Sequence, residues 1–472
     1  MSIDNLRVLI VAENASLKFG GEAALPLHYF RGLRERGIET WLVVHDRTRK
    51  ELESFFLEDF SRIHFVPDTV WHRILAQCNN FLPSKLYYVT FGFILRLMTQ
   101  IVQRLILKRL VKELQIDIIH QPIPVSPKEP SMIFGMGIPV VMGPMNGGMN
   151  YPPSFRRRES KLVNLSVEIG RLFANSLNTL IPGKRQATTL LVANQRTQEA
   201  LPKGICGEVI ELVENGVDLS IWKPKFENQG SELESREKAK IDQLSQRESQ
   251  QRTKFVFVGR LVDWKAVDLL LIAFKQVLEQ MPVELEIIGN GSQRTALEAQ
   301  AKELGLIAIT SQGKEKTSDS EGESPERTAV CFSGRLSQAD CAQRLLSSDA
   351  LVLPSLFECG GAVVLEAMSV GIPVIATNWG GPADYLDQSC GILVEPASRD
   401  SFISNLAAAM IKIAQQPELR LAMGKAGHQR VVNYFDWRVK IDTILEIYQG
   451  AIKKYAGKQK DSVPNVHQIE QV

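Results

Sequence analysis

Ala350-Leu351-Val352-Leu353-Pro354-Ser355-Leu356-Phe357-Glu358-Cys359-Gly360-Gly361-Ala362-Val363-Val364-Leu365-Glu366-Ala367-Met368 reads as a strand, a turn and a helix in immediate succession. Its first four residues form a continuous apolar run, as expected of a strand covered on both faces. Gly360 and Gly361 fall where the helix begins and leave backbone N–H groups unpaired at its positive end, a ready anion site. Glu358 lies in the loop just before that start, and Glu366 lies between one and two turns inside. A carboxylate there can accept both hydroxyls of a ribose whose phosphate rests on the helix start. Either glutamate alone is an ordinary solvated side chain; the pair in this setting favours a ligand site.

Outward from this stretch, strand-like runs alternate with helical periods, the pattern of parallel sheets with crossover helices. In the C-terminal half the runs are Phe255–Val258, Leu285–Ile288, Ala350–Leu353 and Pro373–Ala376. In the N-terminal half they are Arg7–Val11, Thr40–Val44, Ile116–His120, Pro139–Gly143, Leu190–Ala193 and Val209–Val213. The polar stretch from Phe226 to Arg252 separates the two series, and a second polar insert runs from Ser311 to Arg327. The reading is α/β, with two Rossmann-like doubly wound domains: an N-terminal domain over 1–216, a C-terminal domain over 217–435 and a frayed tail over 457–472. At 472 residues and 44% hydrophobic content, the chain exceeds the roughly 250–300 residues at which one core stops growing.

Charge excludes little by itself: 55 Lys and Arg against 53 Asp and Glu give a net +2, no general case for nucleic acid. Six scattered cysteines, with no C-x-x-C pair, argue against a zinc knuckle or disulfide framework. The N-terminus has no basic region followed by a long apolar one, so a cytoplasmic chain is expected.

In doubly wound sheets ligands gather at the carboxyl ends of strands. After Phe255–Val258 come Gly259-Arg260-Leu261-Val262-Asp263-Trp264-Lys265, whose two cations can brace a diphosphate or simply cap the rim. Gly289-Asn290-Gly291-Ser292 after the next strand is a short turn lacking the third glycine of a dinucleotide fingerprint. In the first domain, Gly20-Gly21-Glu22 brings backbone close to a phosphate or acceptor, although an isolated Gly-Gly is more often just a turn. His120 ends a strand, where a lone histidine is more often structural. Gly143-Pro144-Met145-Asn146-Gly147-Gly148 is glycine-rich and is expected to face the ligand, with Asn146, Gly147 and Gly148 on the acceptor side.

The order Gly259-Arg260…Lys265, Gly289-Asn290-Gly291, Pro354-Ser355…Glu358-x7-Glu366-Ala367-Met368 and Gly371-Ile372-Pro373-Val374 resembles the family-4 retaining glycosyltransferases of GT-B fold. The resemblance covers nearly all of the second domain and, more loosely, most of the first. It implies two Rossmann-like domains facing a cleft, with a C-terminal helix over 436–456 returning to the first domain. By the same resemblance Glu358 contacts the transferred sugar and Glu366 holds the ribose. Arg260 and Lys265 grip the diphosphate, with Gly360, Gly361, Gly21, Gly289 and Gly291 shaping the donor site. His120 is placed over the donor sugar, which reverses the structural reading above. Two departures stand out: Cys359-Gly360-Gly361 replaces the usual Pro-Phe-Gly, and Ala266 replaces the glycine after the lysine. The usual His-x-His is here His120-Gln121-Pro122.

The chain has no Asp-x-Asp flanked by apolar residues, so no metal or other cofactor is expected and Arg260, Lys265 and the helix dipole would meet the leaving charge. The partners implied are a nucleotide-diphosphate sugar and a glycan or lipid-linked acceptor. Basic amphipathic stretches at Tyr87–Leu114 and Arg156–Arg185 fit either an anionic membrane surface, on the inner face, or ordinary packing. A nucleotide-sugar 2-epimerase and a non-catalytic sugar-nucleotide-binding protein are the alternatives.

Overall fold

The computed structural model describes residues 5–78, 81, 87, 90–158, 173–224, 252–307 and 329–461. The insert at 311–327 lies outside them, as do 226–251 of the other polar stretch and 462–472 of the expected tail. The chain divides into two compact units: Met1–Gly148 with Glu159–Asn215 and Trp437–Val472, and Met149–Arg158 with Gly216–Asp436.

The first unit is built on seven parallel strands: β1 (Arg7–Val11), β2 (Glu39–His45), β3 (Ile63–Val66), β4 (Ile118–Gln121), β5 (Val140–Met145), β6 (Thr189–Val192) and β7 (Glu208–Glu211). Their spatial order is β3-β2-β1-β4-β5-β6-β7, with Val8 paired to Thr40 on one side and Ile118 on the other. Side chains alternate across the sheet. Val8 and Ile10 join the core under the helices Gly21–Glu35 and Trp437–Asp461. Leu9 and Val11 join Leu107 and Leu110 of the helix Phe91–Glu113 on the other face.

The second unit repeats the plan with six parallel strands: β8 (Thr253–Val258), β9 (Val283–Ile288), β10 (Val330–Gly334), β11 (Ala350–Leu353), β12 (Val374–Thr377) and β13 (Gly391–Val394). Their order is β10-β9-β8-β11-β12-β13. Both sheets therefore reverse direction once, between β1 and β4 and between β8 and β11. These are the switch points at which doubly wound folds open a crevice.

Three strands escaped the sequence reading: β3, β10 and β13. The first two are interrupted by polar residues, Ile63-His64-Phe65-Val66 and Val330-Cys331-Phe332-Ser333-Gly334, and the third offers only the three-residue apolar run Ile392–Val394. The boundary at 216 also needs correction, because Met149–Arg158 belongs to the second unit. There the Trp379 indole donates to Asn150 O at 2.7 Å, and the Tyr151 and Phe155 rings pack on Phe357 and Phe402 at 5.4 and 6.0 Å. The C-terminal helix is longer than expected: Gly457–Asp461 continue it rather than fray. Its seat on the first unit is close, since a Cβ on Gly32 would come within 2.5 Å of Ile441. Trp437 stacks on His28 at 4.5 Å, and Asp442 accepts from Arg36 Nε at 2.6 Å. Among the described residues no helix is long and apolar enough to cross a membrane.

Candidate active site

The second unit's switch point assembles three loops. After β8 the chain makes a single 3-10 turn, Asp263–Lys265, which brings Lys265 back to the strand end. Ala266 follows at φ 52° and ψ 35°, the left-handed region where an alanine costs roughly 1–2 kcal/mol. The glycine that the family resemblance leads one to expect there has this conformational reason. Trp264 O accepts from Leu356 N at 2.8 Å, joining this loop to the one after β11, and Lys265 Nζ forms an ion pair with Glu358. Both side chains are largely shielded from solvent, so removing either strands a charge with little water to take it up.

The third loop, Gly380-Gly381 after β12, was not singled out in the sequence. Gly381 N donates to Glu358 O at 2.8 Å, and a Cβ on Gly381 would sit 2.0 Å from Gly360 O. Gly380 has φ 75°. Only glycines let this turn lie against the Glu358 loop. A Gly-Gly-Pro two residues past an apolar strand was the available signal.

Gly361, at φ 92°, precedes the helix Ala362–Ser369. Among the described residues the N–H groups of Gly360, Gly361, Ala362 and Val363 find no acceptor. Together they form an unspent donor cluster at a positive helix end. One and a half turns in, the Glu366 carboxyl has no hydrogen-bond partner among the described residues, and burial raises its pKa to about 7. The residue as a whole is half-buried. Arg260 is exposed and pairs with no carboxylate among the described residues; its guanidinium lies 5.8 Å from the Trp264 ring centre. One unpartnered cation, one paired cation, two carboxylates and a bare helix start thus meet at one strand-end crevice.

Gly289 and Gly291 do not serve as phosphate donors. Gly289 N donates to Gly334 O at 2.7 Å and Gly291 N to Asn290 Oδ1 at 2.8 Å. Their role is steric: a Cβ would lie 1.8 Å from Gly259 O at the first and 2.2 Å from Leu261 O at the second. They hold the Arg260 loop in place.

In the first unit the structure corrects two expectations. His120 is fully buried. The Tyr448 hydroxyl lies 2.7 Å from Nδ1 and Gly143 O lies 2.7 Å from Nε2, so both ring nitrogens are occupied. Burial lowers its pKa to about 4. It is a neutral core histidine joining β4 to the C-terminal helix, with no face left for a sugar. Asn146 is buried too, and the half-buried Gly147 and Gly148 are held by the protein's own groups. Asn146 donates to Glu214 at 3.0 Å, Gly147 N donates to Thr197 Oγ1 at 3.1 Å, and a Cβ on Gly148 would be 2.8 Å from Arg196 O. Gly21 does lie exposed at the start of its helix, with open space where a Cβ would stand.

Residues 252–415 match the family model described as "Glycosyl transferases group 1". A D-inositol 3-phosphate glycosyltransferase of Segniliparus rotundus is 27% identical over 250 residues, 52% of this chain and 47% of that protein. The sulfoquinovosyl transferase SQD2 of Arabidopsis thaliana is 27% identical over 350 residues, 71% of this chain and 57% of its own. The chain thus spans about half the length of the curated relatives it matches. Among solved structures, Anabaena Alr3699/HepE in complex with UDP superposes with a TM-score of 0.57 at 15% identity, covering 94% of this chain and all of that one. WaaG, a glycosyltransferase involved in lipopolysaccharide biosynthesis, gives 0.54 at 17%, over 94% and 100%. The fold is GT-B.

Proposed function

We propose that this chain is a retaining glycosyltransferase of family 4 that moves a sugar from a nucleotide-diphosphate donor to a hydroxyl of a glycan or lipid-linked acceptor. One observation carries the reading: a half-buried carboxyl with no partner among the described residues (Glu366) stands one and a half turns behind a helix start whose N–H groups are unspent there. A ribose held by that carboxyl would carry its phosphate toward those N–H groups. The family match over 252–415 covers the whole of this region.

In this reading Glu366 accepts the ribose hydroxyls, and the diphosphate lies against the N–H groups of 360–363 with Arg260 and Lys265 beside it. Those donors and cations stabilise charge building on the departing nucleotide, a preorganised electrostatic contribution that needs no metal ion. Glu358, held by Lys265 and Gly381, faces positive charge developing at the sugar ring. The leaving phosphate takes the acceptor's proton. Activity is expected to persist in excess chelator.

A membrane contact completes the proposal. Phe91, Ile94, Ile101 and Leu105 of the helix Phe91–Glu113 are solvent-exposed, and the same face continues into exposed Lys108 and Lys112. Trp71 and Ile74 of the helix Val70–Gln77, which packs on it through His72 and Thr99, are exposed too. Arg96 and Arg104 do not contribute, being turned inward to Glu129 and Met132 O. An apolar stripe ending in lysines suits an anionic lipid surface.

The test is a thermal-stabilisation screen with several nucleotide sugars, since a ligand of the folded state raises its melting temperature. One donor should stabilise the protein, and Glu366→Ala should abolish that shift. No shift with any donor would overturn the reading, and release of a free epimer without acceptor would favour an isomerase.

A further inference from the structure

The first unit has a switch point of its own, between β1 and β4, and it holds a cavity of about 280 Å³. That is near the lower end of small-molecule clefts, roughly 300–1,000 Å³, and suits one ring rather than a chain. The residues that follow β1 (Glu13, Asn14, Phe19, Glu22) and β4 (Ile123, Pro124) line it together with Gln121 at the end of β4. It therefore occupies in the first unit the place that the donor crevice occupies in the second. Its chemistry is different.

Three carboxylates (Glu13, Glu22, Glu129) face two guanidinium groups, Arg47 and Arg96. Neither cation is at liberty: Arg96 Nε pairs with Glu129 at 2.6 Å, and Arg47 Nη1 lies 3.5 Å from Glu13 while its Nε donates to His45 Nδ1 at 3.1 Å. Glu22 forms no ion pair among the described residues and accepts from Val125 N at 3.1 Å. Burial raises the pKa of Glu13 and of Glu22, against the pull of Arg47 and Arg96 on the first and of Val125 N and Arg96 on the second. A phosphate entering here would meet three carboxyl groups and two cations that are already engaged.

Besides the Tyr87 hydroxyl, the remaining polar side chains of the lining are amides. Gln103 Nε2 donates to Ala12 O at 2.7 Å. Gln100 Oε1 accepts from Met132 N at 2.9 Å, and Gln121 Oε1 from Ser131 Oγ at 2.6 Å. Each glutamine is anchored at one end of its amide and can offer the other end to a ligand hydroxyl. Fixed amides and carboxylates of this kind recognise hydroxyl groups, which donate and accept at once. Phe19, exposed at the cavity, supplies an apolar face for the C–H side of a ring.

We propose that this cavity seats the terminal ring of the acceptor and selects an uncharged polyhydroxylated ring, a sugar or cyclitol without phosphate or carboxylate. The proposal rests on the glycosyltransferase reading and sharpens it. It also separates this chain from the relative named for D-inositol 3-phosphate.

The experiment uses the full chain and ligand-observed NMR with D-glucose, D-galactose and myo-inositol, each against its monophosphate. At least one uncharged probe should bind, with its phosphate at least tenfold weaker. Glu22→Gln and Glu13→Gln should weaken that probe about fivefold or more and narrow the discrimination, while the donor-induced thermal shift stays unchanged. Equal binding of the phosphate, or no binding of any uncharged probe, overturns the proposal; this arm needs only the unaltered protein. Absence of ring selectivity in the unaltered protein, or full ring binding and selectivity in both variants, refutes the cavity assignment alone when the donor shift is intact, whereas absence of any donor shift refutes the transferase reading.

Discussion

The two switch points of this molecule have the same strand order and opposite chemistry. Between β8 and β11 the loops present Arg260, Lys265 and four unspent N–H groups, with two carboxylates placed among them. Between β1 and β4 they present three carboxylates, two cations already engaged and three anchored glutamines. A shared backbone plan thus decides where a ligand can sit, and the side chains at the strand ends decide its charge. The second crevice suits a diphosphate and the first a neutral polyol.

The largest expected effect breaks the chemistry at the second crevice without emptying it. Glu358→Gln should lower the transfer rate about 10²–10³-fold, the scale of removing one well-placed electrostatic group, while nucleotide sugar still raises the melting temperature. A rate within threefold of the parent would remove Glu358 from the reacting centre. Next, Arg260→Ala should weaken donor binding about 10–100-fold, because charge-assisted hydrogen bonds contribute about 1.5–3 kcal/mol; calorimetric titration measures it. The same substitution should leave ring binding in the first unit untouched, and a parallel loss there would collapse the distinction between the two sites.

A smaller effect comes from Gly381→Ala. Forcing a methyl against Gly360 O should destabilise the second unit by about 1–3 kcal/mol, read as a lower denaturation midpoint and a weaker donor shift. The gentlest test is pH. Glu366 has a raised pKa, so the unliganded fold gains from its protonation at low pH and loses that gain as pH rises from 4.5 to about 7. Ribose hydroxyls want the ionised form, hence donor affinity should fall below pH 7, by at most about tenfold per unit. Glu366→Gln should flatten that slope. A pH-independent affinity in the parent protein would separate Glu366 from the ribose.

Much of this was legible in the sequence, for identifiable reasons. Ala350–Leu353 is fully apolar and emerged as β11 to the residue, and the Glu358–Glu366 spacing needed only helix geometry. His120 shows where reading stopped. Its partner Tyr448 lies 328 residues away, so no local pattern could reveal that both nitrogens were taken. The same distance effect hid the inward turn of Asn146, whose partner is Glu214, and the grip of Gly381 on Glu358. Gly289 and Gly291 were seen as glycines, but a loop 30 residues earlier, and not a phosphate, is what requires them.

The return of the chain to its starting unit has a consequence for how the protein is made. Ile441, Ile444, Tyr448 and Ala451 sit in the core beneath Val8 and Ile10, so the first sheet to leave the ribosome waits for the last helix to be covered. Until that helix has been made, the face it shares with the helix Gly21–Glu35 is only partly covered. Transiently exposed apolar surface of this kind invites wrong association. A stop codon shortly before Trp437 would therefore harm the beginning of the protein more than the part just translated.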